Sequence, residues 1–252
     1  MNGASPPILA VRGVTMRFGG FTALSNVTAS FPQGQLTAII GPNGAGKSTL
    51  FNVLSGALPP TDGEVLFNGR SIAGMRQHHF ARLGISKSFQ ITNIFPDLTA
   101  LENVRIAIQA MTTRFNIWTP RSRLTEMEDR AAELLSDVGL ASHMRRVASE
   151  LAHGEQRALE IAMAVACKPK VLLLDEPTAG MSPEETVEIM QVILRLAERC
   201  TVILVEHKMK LVMDISNHIL VLHHGEFLAE GTPDEIRANS EVRRVYLGEG
   251  RR

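Results

Sequence analysis

Two cysteines, one tryptophan and one tyrosine are all that 252 residues contain of these types. Two cysteines make neither a disulfide framework nor a zinc spacing. Cys167 and Cys200 each stand among apolar neighbours and are expected as small buried hydrophobes in a reducing cytosol. An excess of charge of one sign is also missing. The 26 basic and 26 acidic residues cancel, which argues against a general polyanion-binding surface and so against nucleic acid as a partner. No apolar run approaches the roughly 18 residues that span a bilayer. Met1–Pro7 has neither a basic start nor an apolar stretch, so no secretory leader is expected. What is present is a globular composition, 44% hydrophobic and 21% charged, long enough for one large domain or two small ones.

The first third reads as short strands broken by turns. Ile8–Val11, Val27–Phe31, Leu36–Ile40 and Val65–Phe67 are apolar or β-branched, and Gly19-Gly20, Pro32-Gln33-Gly34 and the 59–63 cluster separate them. Asn68-Gly69 is a hairpin signal. The middle reads as helix. Met127, Ala131, Leu134, Leu135 and Val138 recur at helical spacing and Gly139 closes the run, while Leu159, Ala162, Met163 and Ala166 form a second stripe. The stretch from Thr112 to Arg123, which holds Trp118, is expected as a surface loop.

The last third alternates strand and helix. Val171–Leu174 is a strand, and Ser182-Pro183-Glu184-Glu185 then opens a helix with a cap, a first-turn proline and a capping box. Thr201–Val205 is apolar without a break, which predicts a parallel strand buried on both faces. Ile219–Leu222 and Phe227–Ala229 flank a turn as a hairpin, and Thr232-Pro233-Asp234-Glu235 opens another helix. Met209–Met213 is read as helix packing. His78-His79 and His223-His224 lack further metal ligands and are read as solvated turn residues. The whole is an α/β pattern with a helical insertion.

Gly41-Pro42-Asn43-Gly44-Ala45-Gly46-Lys47-Ser48 matches G-x-x-x-x-G-K-[ST], with a strand before it and a helical run, closed by Gly56, after it. Glycines let the backbone approach a phosphate and aim successive N–H groups at it, and the following helix offers its positive end. Lys47 can reach the β- and γ-phosphates, and Ser48 can offer a hydroxyl to Mg²⁺. The second half of such a site is a buried strand that ends in a carboxylate, and Val171 to Leu174 followed by Asp175-Glu176 supplies it. Asp175 can hold Mg²⁺ through water, and Glu176 can polarise an attacking water.

With both motifs in place, the sequence resembles the ATP-binding subunits of ABC transporters over nearly its whole length. Leu151-Ala152-His153-Gly154-Glu155-Gln156 stands where that family has its signature, ahead of a helix. The resemblance implies an α/β fold with a P-loop NTPase (RecA-like) core, an antiparallel β subdomain and an inserted α-helical subdomain. It implies one nucleotide-binding domain over 1–252, in which 1–90 and 161–232 form the β subdomain and core. Residues 91–160 would be the helical subdomain and 233–252 the C-terminal helices and tail. ATP and Mg²⁺ are the implied cofactors. Gly41, Pro42, Asn43, Gly44, Ala45, Gly46, Lys47, Ser48 and Thr49 would cradle the phosphates, and Phe18 would stack on adenine. Ala152, His153, Gly154 and Glu155 would face the γ-phosphate held by an opposite, head-to-tail subunit. Lys47, Gln90, Glu176 and His207 form the implied catalytic set. Ser48, Gln90 and Asp175 would serve the metal.

Finer stretches are similar to branched-chain (hydrophobic) amino-acid importers: 82–85, 98–104, 205–210 and the Val245-Tyr246-Leu247-Gly248 ending. That likeness implies two integral-membrane permeases, a second ABC ATPase or a second copy of this chain, and a periplasmic or extracytoplasmic binding protein. It implies a peripheral place on the cytoplasmic face of a bacterial inner membrane. Ile94-Phe95-Pro96 is a candidate permease contact, or a loop tucked over the core. Related importers for urea, amides or aromatic acids stay open as alternatives. So does a soluble ABC ATPase acting on nucleic acid or the ribosome, although no coiled coil or cysteine pair interrupts the 107 positions from Lys47 to Gly154. Two departures from the family pattern stand out. Ala152 replaces the signature serine, and a lost hydrogen bond to a charged group is worth roughly 1.5–3 kcal/mol. Ser182 replaces the usual aspartate of its loop.

Overall fold

A computed structural model of the chain describes residues 7–88, 94–112 and 121–247. Its first sheet is antiparallel. β1 (Pro7–Phe18) turns through Gly19-Gly20 into β2 (Phe21–Pro32), and β4 (Asp62–Phe67) turns through Asn68-Gly69 into β5 (Arg70–Ser71). The spatial order is β2-β1-β4-β5. Asn68 and Gly69 both have positive φ, 49° and 73°, the backbone that matches the twist of a two-residue hairpin. β1 outruns the Ile8–Val11 reading because irregular registers between Val11 and Arg17 carry the pairing through a polar stretch.

The second sheet carries β3 (Leu36–Ile40), β6 (Ile85–Lys87), β7 (Val171–Asp175), β8 (Thr201–Val205), β9 (His218–His223) and β10 (Glu226–Gly231). Their order is β10-β9-β3-β8-β7-β6, parallel throughout except for β10. Every residue of β3, β7 and β8 is buried. Alternate side chains feed two cores. Ala38, Leu172, Leu174, Val202 and Leu204 face one, and Ile39, Val171, Leu173, Ile203 and Val205 face the other. This is why these strands are uniformly apolar in sequence.

The helices divide between the two faces. α1 (Lys47–Leu54) sends Leu50, Phe51, Val53 and Leu54 into the core shared with the antiparallel sheet. α3 (Ala100–Thr112), α4 (Arg121–Asp137), α5 (His153–Val165), α6 (Pro183–Ala197) and α7 (Met209–Ile215) serve the other core. α2 (Gln77–Leu83), α8 (Pro233–Ala238) and α9 (Ser240–Leu247) complete the described α-helices, and two short 3-10 turns, Ala141–His143 and Ala148–Glu150, lie between α4 and α5. α6 and α8 open as read. Ser182 accepts from the Glu185 N–H at 3.2 Å and Thr232 from the Glu235 N–H at 3.4 Å, caps worth about 1 kcal/mol each. Arg195 of α6 and Arg199 just beyond it bind the carbonyl and carboxylate of Asp137, fastening the end of α4 to the core. No helix among the described residues is long and apolar enough to cross a membrane.

Several readings change. α4 begins at Arg121, ahead of the apolar stripe at Met127, because its first turns are polar and carry no periodic signal. Trp118 lies outside the described residues. His78 and His79 are exposed on α2 rather than in a turn, and His223 ends β9 while His224 makes its turn at φ 50°. Met209 and Met213 pack partly against the core, as expected. Asn103 is fully buried and holds Phe95 through its N–H and carbonyl, at 2.7 and 3.1 Å. Ile94 then packs inward while Phe95 stays 47% exposed.

Both cysteines are half-buried rather than buried. Burial pushes the Cys200 thiol up to about 11, leaving about one thiolate per thousand at pH 8. The higher intrinsic nucleophilicity of a basic thiolate recovers part of that loss. Alkylation of Cys200 at pH 8 should therefore run at least about tenfold slower than that of free cysteine, as read by mass spectrometry of the intact protein. Labelling at the free-thiol rate would contradict the burial.

Candidate active site

Residues 41–46 join the buried end of β3 to α1. Lys47 is only 8% exposed, and its ammonium donates to the carbonyls of Gly41 and Pro42 at 2.8 and 3.0 Å. The cation is thus held over the loop. Burial lowers its pKa, against the opposing pull of Glu176 and Asp175. The helix cap is Gly46 at φ 95° with no side-chain hydrogen bond, so the first-turn N–H groups of α1 are not taken by a side-chain cap. Asn43, Gly44 and Ser48 are exposed around this turn, Thr49 is half-buried and Ala45 is buried. The β9–β10 turn braces the loop. Gly225 donates to the Ala45 carbonyl at 3.1 Å and accepts from the Ser25 N–H at 2.8 Å. A side chain at Gly225 would start 2.7 Å from the Ala23 carbonyl, so the wedge between β2 and the loop needs a glycine.

Asp175 ends β7 at 4% exposure. Burial raises its pKa and Glu176 adds to the rise, while Lys87, Arg157 and Lys47 pull it down. Lys87 was not marked by any motif. It ends β6, donates to the Asn52 side chain at 2.7 Å and sits 4.9 Å from the Phe51 ring centre. Glu176 follows in the left-handed region, φ 43°, with its N–H on the Val205 carbonyl at 2.9 Å. That turn throws its carboxylate off the strand line, where Oε1 lies 3.9 Å from Nδ1 of His207. The imidazole is half exposed, just past β8.

A second unmarked group holds this corner. Glu206 is fully buried and accepts from the Thr178 hydroxyl at 2.5 Å, the Thr178 N–H at 3.2 Å and the His207 N–H at 3.1 Å. Lys208 donates to the Thr178 carbonyl at 3.1 Å. The residues on either side of His207 therefore both grip Thr178, two positions beyond Glu176. The available signal was a carboxylate set directly at the end of a wholly apolar strand.

Phe18 closes the β1–β2 hairpin opposite Phe21 and is 47% exposed, so it is not a core residue. Gln90 lies outside the described residues. Ser88, the last described residue before it, donates to the Leu173 carbonyl of β7 at 2.9 Å. Lys47, Asp175, Glu176 and His207 come together. The 152–155 group does not join them: its neighbours include Glu185, which accepts from the Gly154 N–H, Gly180 on the adjoining loop, and His143, whose Nδ1 lies 3.2 Å from Glu155 Oε1. Ala152 caps α5, and its N–H donates to Glu155 Oε2 at 2.8 Å. The reciprocal bond of a capping box needs a hydroxyl that alanine lacks. Further along α5, Arg157 pairs with Glu160 and donates to the Asp175 carbonyl, both at 2.7 Å. A cleft of about 600 Å³ lies at the opposite ends of the strands, beside Gly34, Lys170 and Thr201. Backbone geometry and charge, not that cleft, locate this site.

Comparison with known proteins gives a consistent likeness. Residues 24–179 match the family description "ABC transporter", and 228–252 match "Branched-chain amino acid ATP-binding cassette transporter". The chain is 45% identical to the high-affinity branched-chain amino acid transport ATP-binding protein LivG of Salmonella typhimurium, over 97% of this chain and 99% of that one. Among solved structures it is similar to the ADP conformation of MJ1267, an ATP-binding cassette of an ABC transporter. There the TM-score is 0.84 at 30% identity, over 97% of this chain and all of that one. It is also similar to the dimeric bacterial ABC transporter cassette MJ0796, with a TM-score of 0.76 at 28% identity, over 89% and 98% of the two chains.

Proposed function

Since the chain belongs to the ABC transporter family, within its branched-chain amino acid branch, we propose that it is the ATP-hydrolysing subunit of an importer for branched-chain or other hydrophobic amino acids. The observation that carries the reading is a convergence at the carboxyl ends of three adjacent parallel strands. β3 leads to the phosphate loop, β7 ends in Asp175 and is followed by Glu176, and β8 leads to His207. Ligands of open α/β sheets bind at such strand ends.

The residues fit a nucleotide and its metal. The α1 turn lacks a side-chain cap, a cation is held over the loop, and a buried carboxylate lies within the field of that cation. Ser48 and Asp175, with Gln90 by resemblance, would hold Mg²⁺, which when bound neutralises charge on the phosphate oxygens. Residues 41–49 bind the phosphates through backbone N–H groups, and Lys47 offsets γ-phosphate charge. Glu176 orients the attacking water and draws its proton. His207 stands beside that carboxylate and contacts the γ-phosphate. Phe18 offers its exposed ring to adenine. Residues 152–155 serve the nucleotide of an opposite subunit, which is either a second copy of this chain or a different ABC ATPase. Residues 91–160 form a helical subdomain inserted in the domain, and Phe95, exposed on a pinned loop, is a permease contact. The chain works as a peripheral subunit on the cytoplasmic face, beneath two permeases fed by an extracytoplasmic binding protein.

A pull-down from native membranes tests the assembly. Tagged Glu176→Gln protein, loaded with ATP and Mg²⁺, should recover two permeases and an ABC ATPase. Recovery of ribosomal or DNA-bound partners without a membrane subunit would overturn the transport reading while leaving the nucleotide chemistry in place.

A further inference from the structure

The first turn of α5 has a supply problem for hydrogen bonds. A helix start leaves peptide N–H groups without partners in the helix, and a serine or threonine cap ordinarily serves one of them. Ala152 cannot. The Gly154 N–H is instead taken by another helix: it donates to Glu185 Oε1 at 3.1 Å. The other oxygen of the same carboxylate, Oε2, accepts the Ser182 N–H at 2.9 Å, and the Ser182 hydroxyl accepts from the Glu185 N–H at 3.2 Å. One side chain therefore ties the start of α5 to the start of α6. These backbone N–H donors hold the Glu185 carboxyl below the usual carboxylate range, as a charged acceptor should be.

Two neighbours support the tie. A Cβ on Gly154 would lie 2.9 Å from Glu185 Oε1 and 3.1 Å from its Cγ, so any side chain at 154 would push the carboxylate from its present position. A Cβ on Gly180 would lie 3.7 Å from the His153 ring, so the loop that follows Glu176 passes close to this turn. The glycine at 154 thus has a partner within its own subunit, apart from any phosphate of an opposite one.

We propose that Glu185 is a positioning residue for ATP hydrolysis. It couples the 152–155 turn to the loop that runs from Glu176 to Ser182, so a shift at one subunit's general base moves the N–H groups presented to the other subunit's nucleotide. The proposal rests on the reading of 152–155 as the contact to that second nucleotide. Glu185 touches neither nucleotide and acts through the backbone of Gly154 and Ser182.

The test compares wild type, Glu185→Ala and Glu185→Gln, each as the full chain and in the assembly recovered from membranes. Glu185→Ala removes both acceptors and should lower kcat about tenfold. The affinity of the isolated chain for a non-hydrolysable ATP analogue should stay within about twofold, because the phosphate loop lies on other elements. Glu185→Gln keeps one carbonyl oxygen, able to serve one of the two N–H groups, and should fall between the two. A merely structural role would move melting temperature and nucleotide affinity together and show no such split. A wild-type assembly that turns over ATP and a Glu185→Ala assembly equal to it in kcat would overturn this inference alone. A wild-type assembly that binds ATP without turning it over would overturn the proposed function and this inference with it.

Discussion

Glu176→Gln is expected to cut steady-state ATP turnover by about 10²- to 10⁴-fold, the range that a positioned general base contributes, while nucleotide binding stays within about threefold of wild type. The change is nearly isosteric and leaves the backbone turn at φ 43° in place. It removes one negative charge from a corner where the Glu176 carboxylate raises the pKa of buried Asp175. Binding of an anionic nucleotide should therefore hold or tighten, and only the step that requires a base is lost. Titration calorimetry with MgATP and a phosphate-release assay read the two halves separately. Turnover near wild type in the assembled transporter would remove Glu176 from its role.

Lys47→Ala is expected to weaken nucleotide binding by about a hundredfold or more. Each hydrogen bond to a charged group is worth roughly 1.5–3 kcal/mol, and the ammonium is positioned to make more than one. The fold should survive. Lys47 is a buried cation whose pKa is lowered by desolvation, so its removal relieves a burial penalty, although the Gly41 and Pro42 carbonyls lose their donor. An unchanged melting temperature together with lost binding identifies a site defect. Unchanged binding in calorimetry would sink the phosphate-loop assignment.

Most strands and the helix openings were legible because their causes are local. β3, β7 and β8 announce themselves by unbroken apolar runs, and α6 by a cap, a proline and a glutamate within four positions. The start of α4 was not legible, because a helix whose first turns are polar shows no stripe there. The nucleotide motif was readable since its function depends on contiguous backbone. The groups that hold it were not. Glu206 meets Thr178 across 28 positions, Glu185 meets Gly154 across 31, and Arg157 meets the Asp175 carbonyl across 18. Such pairings depend on which strands neighbour one another, and no spacing rule in the chain records that.

The order of the second sheet has a consequence in time. β3 is paired on one edge with β8 and on the other with β9, both more than 160 residues later in the chain. At about 5–20 residues per second of synthesis, roughly 8–35 seconds separate the emergence of the phosphate loop from that of its supporting strands. The antiparallel sheet is complete by Ser71 and can form early, but the core between its apolar inner face and α1, to which Phe80, Ile85, Val171 and Leu173 add in turn, stays incomplete until β8 and β9 arrive. During that interval the nascent chain exposes two open edges of an apolar strand, the condition that favours mispairing with other chains. Binding competence is thus acquired late and all at once, when the last strand needed to flank Ile39 leaves the ribosome.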